Sequence, residues 1–172
     1  MPIIPDIKDW TWVLQRPCPE CGFDASAATP ATAAGIVESM LPRWRVALRR
    51  PDATERPEGN TWSVLEYACH VRDVFTLFDH RLGLMLSEDD ARFADWDQDL
   101  TAVEKDYANA DPAEVSAELT AEGGQIAASF ARVTEEHWSR KGTRSNGSEF
   151  TVLTFAQYFL HDVVHHLHDV DG

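Results

Sequence analysis

Four of the seven histidines fall within the eight residues His161-Asp162-Val163-Val164-His165-His166-Leu167-His168. On an α-helix, His161 and His165 stand one turn apart on one face, a separation at which two imidazoles can hold one cation. His161, His165 and His168 lie within about 60° of one another, and Thr154 and Gln157 extend the stripe. Neutral imidazole suits Zn²⁺, Ni²⁺, Cu²⁺ and Fe²⁺. Two ligands make a weak site, so a third donor is expected from elsewhere. His70 is the candidate, because it shares a helical face with the apolar set Tyr67, Val74 and Leu77. His80 is rotated about 80° from it, toward the surface, and His137 sits in a Glu-rich stretch. An inward-facing imidazole needs a partner, since an unsatisfied buried polar group costs about 1–3 kcal/mol. The expected metal ligands are therefore His70, His161 and His165. The plain alternative is a solvated HxxxH pair and a core histidine at position 70, because a lone HxxxH is a weak motif.

Two familiar metal motifs do not fit. His161-Asp162-Val163-Val164-His165 resembles a zincin helix with Asp for Glu, but only seven residues follow His165, too few for a third ligand and a cleft. Di-iron bundles need Glu-x-x-His pairs, and Glu66 lies four residues before His70, not three. Cys18-Pro-Glu-Cys21-Gly22 looks like half of a zinc knuckle. A structural zinc site needs four ligands, and Cys69 cannot supply a second CxxC. Gly22 stands where haem attachment requires His. The pair reads as a redox couple or, preferably, as two reduced cysteines packing a turn. Cys69 points about 100° away from His70 and is expected in the core.

Four helices must carry these residues. The first spans about 32–49, with Pro42 inside and Pro51 after it. The second spans about 63–86 and opens on Ser63 and Glu66 at capping-box spacing. The third spans about 112–138, with Asp111 as cap and Pro112 at the first position; Gly123 and Gly124 each cost about 1 kcal/mol against alanine. The fourth spans about 151–170. A short helix is expected around 97–107, and 140–149 reads as a loop. Pro2, Pro5, Pro17 and Pro19 make residues 1–28 irregular, and Trp10, Trp12 and Phe23 predict that this segment wraps onto the body. The expectation is an all-α, antiparallel four-helix bundle formed by one domain over 1–172.

The chain has 172 residues, 15 Lys+Arg against 29 Asp+Glu, and a net charge of −14. Such a chain repels phosphate backbones and anionic membranes, which argues against nucleic-acid and membrane partners. Three cysteines cannot close a disulfide framework. Residues 1–9 lack the apolar run of a signal peptide and no segment has the length of a membrane span, so a cytoplasmic location is expected.

The ordered set EYACHVRDV, with His70, and FLHDVVHHLHDV, with His161 and His165, resembles the DinB/YfiT superfamily of metal-binding four-helix bundles over roughly residues 30–170. The resemblance implies a divalent metal on His70, His161 and His165, with Zn²⁺ and Ni²⁺ ahead of Fe²⁺, Mn²⁺ and Cu²⁺. Members with assigned chemistry are mostly thiol-dependent, such as mycothiol-dependent maleylpyruvate isomerase and bacillithiol or mycothiol S-transferases. The isomerase has a carboxylate among its late ligands, so the three-histidine reading leans to the transferase branch. The resemblance thus implies transfer of a mycothiol-like thiol to an electrophile. A non-catalytic metal-binding or stress-response protein and a metal-dependent hydrolase are the other readings; a homodimer is compatible with the fold. Candidate helpers are Glu66 and Asp73 beside His70, Arg144 for an anionic substrate, and Tyr67 and Tyr158. For each of these, surface exposure or core packing is the plainer expectation.

Overall fold

The computed structural model describes residues 3–5 and 8–172. Local chemistry sets the helix starts. Thr29 and Thr32 form a reciprocal cap at the start of α1, Pro30–Ala47, with Pro30 at the first position. The Ser63 side chain accepts the Glu66 N–H while the Glu66 carboxylate accepts the Ser63 N–H at 2.9 Å, and this box opens α2, Val64–Ser87. Asp97 caps a short α3, Gln98–Glu104, and Asp111 caps α4, Pro112–Ala131. Thr151 and Thr154 cap α5, Val152–Asp169.

The four long helices pack around one apolar core. Gly123 of α4 sits where a Cβ would lie 2.4 Å from Leu41 Cδ2 of α1 and 3.0 Å from Phe75 Cε2 of α2. Its missing side chain lets three helices approach at that level. Phe78 and Phe130 pack on α5, where Phe130 stacks on Phe159 at 5.5 Å and Phe78 on Phe155 at 4.9 Å.

Two expectations change. The helix begun at Asp111 stops at Ala131, and a single 3-10 turn, Glu135–His137, replaces its expected last turns. The chain is also not purely helical. Strands β1 (Ala91–Phe93), β2 (Lys141–Arg144) and β3 (Glu149–Thr151) form a sheet in that order, β1 parallel to β2 and β2 antiparallel to β3. The stretch 140–149 is thus a hairpin. Strands of three or four residues are too short to show a two-residue period. Gly142 is required here, because a Cβ would stand 2.8 Å from both Met85 Cγ and Phe93 Cε1.

The N-terminal segment packs along α5 through two 3-10 turns, Trp10–Leu14 and Ala25–Ala27. Val13, Cys18, Ala25 and Ala28 are buried, and Gln157 Nε2 donates to the Ala28 carbonyl at 3.0 Å. Among the described residues, no helix is long and apolar enough to cross a membrane.

Candidate metal centre

Helix α5 carries two ligand pairs, each four residues apart and offset by one residue: His161/His165 and Asp162/His166. One residue is about 100° of rotation, so the pairs look in different directions. His70, Asp162 and His166 bring one donor atom each within 4.8 Å of one another. His161 and His165 do the same with Cys18 and Cys21. The expected trio is therefore divided. His161 and His165 lie together, but among the described residues no cluster of mutually close donor atoms joins His70 to them.

In the first cluster, His70 Nε2 stands 3.7 Å from Asp162 Oδ2, and His166 Nε2 3.5 Å from Asp162 Oδ1. Both distances exceed a normal N–H···O bond. They sit near the roughly 3.3 Å that separates two ligand atoms sharing one tetrahedral cation at about 2.0 Å. His70 is 1% exposed, and neither of its ring nitrogens has a hydrogen-bond partner. Asp162 Oδ2 is likewise buried without one. Buried imidazole and carboxylate atoms left unpaired are costly, and a cation between them would satisfy both. The donor set therefore fits a divalent metal.

The surroundings prepare the ligands. Trp96 stacks on the His70 ring at 5.4 Å and 10°, and Trp62 lies against it at 5.5 Å. Burial keeps the His70 pKa below its usual value, so the ring is neutral and its lone pairs are available. His166 Nδ1 lies 3.0 Å from Asp169 Oδ2 and donates to it, which leaves Nε2 for the cluster. Burial opposes a charge on His166, but Asp162 and Asp169 outweigh it and raise its pKa to about 9. Burial pushes the Asp162 carboxyl up, and His166 and His70 override that and hold it far below the carboxylate range. Without a cation, a proton on His166 balances Asp162; a cation would take that proton's place.

Comparison with known proteins gives the family and the fold. The sequence profile of the DinB superfamily matches residues 28–170. The chain belongs to the DinB superfamily. Its fold is similar to that of YfiT from Bacillus subtilis, described as a probable metal-dependent hydrolase with an unusual four-helix bundle topology. That similarity has a TM-score of 0.71 and 18% identity, and covers 83% of this chain and 85% of YfiT. No curated protein matches the chain.

In this DinB-superfamily chain the cluster opens into a cavity of about 930 Å³, lined by Tyr67, Trp96, Arg144, Tyr158, Asp162 and His166 among others. Arg144 from β2 lies over the Tyr158 ring at 5.8 Å and faces Asp95 at 3.4 Å. Burial raises the pKa of the Tyr158 hydroxyl, so it stays protonated. Tyr67 lies 5.2 Å from the His166 ring.

Glu66 and Asp73 take other roles. Glu66 caps α2 and pairs with Arg56. Asp73 accepts from Tyr107 Oη at 2.5 Å, Lys105 Nζ at 2.8 Å and Arg72 Nε at 2.9 Å. His80 is exposed, Cys69 is buried in the core, and all three cysteines are free. Sequence reasoning did not single out Asp162 and His166. Their spacing of four was visible inside the same segment, but it offered no sign of which pair faced α2.

Proposed function

We propose that the chain is a divalent-metal-dependent enzyme whose metal sits on His70, Asp162 and His166. The observation that carries this reading is the set of buried, unpartnered donor atoms on His70 and on Asp162, which lines the cavity. When bound, the metal lowers the pKa of a thiol or water in its coordination sphere. Three protein ligands leave room for such a group.

The chain's own residues supply the rest. Trp62 and Trp96 keep water off His70 and fix its ring. Asp169 holds the His166 proton on Nδ1. Asp162 lends a negative charge that two histidines alone would not. Arg144 offers a guanidinium to an anionic part of the substrate, and the Tyr158 hydroxyl offers a hydrogen bond beside it.

The reaction favoured is transfer of a small, polar thiol such as mycothiol to an electrophile. A cavity of about 930 Å³ has room for a small thiol beside an electrophile, and polar side chains line much of it. The carboxylate ligand removes the lean toward the three-histidine transferases and moves the resemblance toward the isomerase, which is also thiol-dependent. The description of YfiT supports hydrolysis as the second reading.

The test is conjugation of monochlorobimane by the full chain loaded with Zn²⁺ or Ni²⁺, with mycothiol or another small thiol present. Thiol-dependent product is expected, abolished in His70→Ala and retained in His80→Ala. Turnover of model esters or amides without thiol would move the reading to a hydrolase. Inactivity in both assays would leave a metal-binding protein.

A further inference from the structure

The second cluster supplies no ligand to the proposed metal, although His161 and His165 line the same cavity. We propose that Cys18, Cys21, His161 and His165 form a closed, four-coordinate zinc site that fastens the N-terminal segment to α5.

The turn that carries the cysteines is already shaped for this. Gly22 N–H donates to the Cys18 carbonyl at 2.9 Å, and Cys18 N–H to the Phe23 carbonyl at 2.9 Å. Gly22 adopts φ +74°, which a side chain disfavours. These bonds hold the two cysteines in one tight loop, with their sulfurs close to the His161 and His165 rings.

The other half comes from α5. Cys18 Sγ lies 3.7 Å from His165 Nδ1. Bonds of about 2.3 Å to sulfur and 2.0 Å to nitrogen at a tetrahedral angle put the two atoms roughly 3.5 Å apart. His165 Nε2, on the far side of the ring, faces Glu20 Oε2 at 3.5 Å and Asp169 Oδ1 at 3.6 Å. Carboxylates there favour the proton on Nε2 and leave the Nδ1 lone pair toward the sulfurs. His161 Nε2 is buried with no hydrogen-bond partner. Cys18 is 1% exposed and His161 4%. Two thiols and two imidazoles form a donor set that selects zinc over harder divalent cations. Binding releases one proton from each thiol, and the complex Zn(S-Cys)₂(N-His)₂ is neutral.

Such a site has a structural consequence. Trp10 stacks on His161 at 5.7 Å, and Phe23 lies 6.0 Å from it. Trp10 also lines the cavity. His161 and His165 line the same cavity, so the zinc would hold one wall of the proposed reaction chamber in place.

The experiment is metal analysis with X-ray absorption on the full chain, purified in reductant with zinc. Two zinc equivalents per chain are expected for the wild type. His70→Ala should keep one, with two sulfur and two nitrogen neighbours. Cys18→Ser with Cys21→Ser should lose that one and keep the other. His165→Cys should retain the cation with a third sulfur, which guards against variants that fail to fold. Failure at the first cluster would appear only as loss of the equivalent that depends on His70. A shell of nitrogen and oxygen alone in His70→Ala would overturn the assignment. So would a Cys18–Cys21 disulfide in metal-replete protein, or Cys18 and Cys21 thiols that titrate as fast in native zinc-loaded protein as after zinc is chelated.

Discussion

His165 and His166 are neighbours in sequence, yet their rings meet at 80° with centroids 6.0 Å apart and serve different clusters. His165 Nδ1 faces Cys18 Sγ at 3.7 Å, while His166 Nε2 faces Asp162 Oδ1 at 3.5 Å. Asp169 touches both: Oδ2 accepts from His166 Nδ1, and Oδ1 lies 3.6 Å from His165 Nε2. One carboxylate therefore fixes the ring orientation and tautomer of His166 and, with Glu20, biases those of His165. Loss of such an outer partner typically weakens metal binding about 10–100-fold while the ligands remain. Asp169→Asn should lower metal affinity by that order at the His70 cluster, with unchanged stoichiometry at saturating metal. Competition titration with a chromophoric chelator measures this; unaltered affinity would show that Asp169 is a bystander.

Acid stability has a different source. Burial would raise the Asp73 carboxyl, but hydrogen bonds from Lys105, Tyr107 and Arg72 outweigh it and hold its pKa below the ordinary value. Glu66 is likewise pushed up by burial and pulled lower overall by Arg56 and Ser63. Both groups are depressed in the folded chain. Their stabilisation is complete above the unfolded carboxylate pKa of about 4 and is lost as pH falls through the lower folded value. The thermal midpoint should therefore drop below about pH 4, and Asp73→Asn should flatten that acid limb. At neutral pH the same variant should cost about 2–3 kcal/mol, because it removes hydrogen bonds to a charged, buried group. Urea melts across pH would check both parts, and an acid limb unchanged in Asp73→Asn would place the titration elsewhere.

The helices were legible because their ends are written locally: Ser63 with Glu66, Asp111 with Pro112, Thr151 at the start of α5. A metal centre was legible too, since His70 and a cluster of histidines on another helix stand out by type. The pairing was not. Whether α2 meets the 161/165 face or the 162/166 face turns on a rotation of about 100°, and that rotation is fixed by core packing around Phe155 and Phe159. Likewise the CxxC showed only half its donors. Its partners lie more than a hundred residues away, brought near by an irregular segment whose path no periodicity encodes. The small sheet escaped for want of length.

Gly123 and Gly124 carry the same intrinsic penalty, but their surroundings separate them. An added methyl at 123 would stand 2.4 Å from Leu41 Cδ2 and 3.0 Å from Phe75 Cε2, whereas nothing lies within 4 Å at 124. Overpacking of this kind costs about 1–3 kcal/mol, against a helix-propensity gain of up to about 1 kcal/mol. Gly123→Ala should thus lose about 1–2 kcal/mol net, and Gly124→Ala should gain about 0.5–1 kcal/mol. In a chain of this size each kcal/mol moves the thermal midpoint by about 2–4 °C. Equal shifts for the two variants would mean that α1 and α2 relax freely around α4.

Trp96 offers the sharpest probe of the metal centre, because it touches a ligand without being one. Its ring lies parallel to His70 at 5.4 Å, and it also lines the cavity. Its indole N–H donates to Thr101 Oγ1 at 2.8 Å, which ties α3 to the site. Trp96→Ala removes the cover from His70 and lets water reach a ring that the fold otherwise keeps dry. Trp96→Phe keeps the cover and loses only the N–H. If the stack orients His70, metal affinity should fall in Trp96→Ala by about tenfold, on the scale of lost outer contacts, and recover most of that loss in Trp96→Phe. Isothermal titration with Zn²⁺ on the Cys18→Ser, Cys21→Ser background isolates this centre from the proposed second one. Equal affinity in all three proteins would show that Trp62 alone suffices to hold His70, since that indole lies at 5.5 Å on the same imidazole.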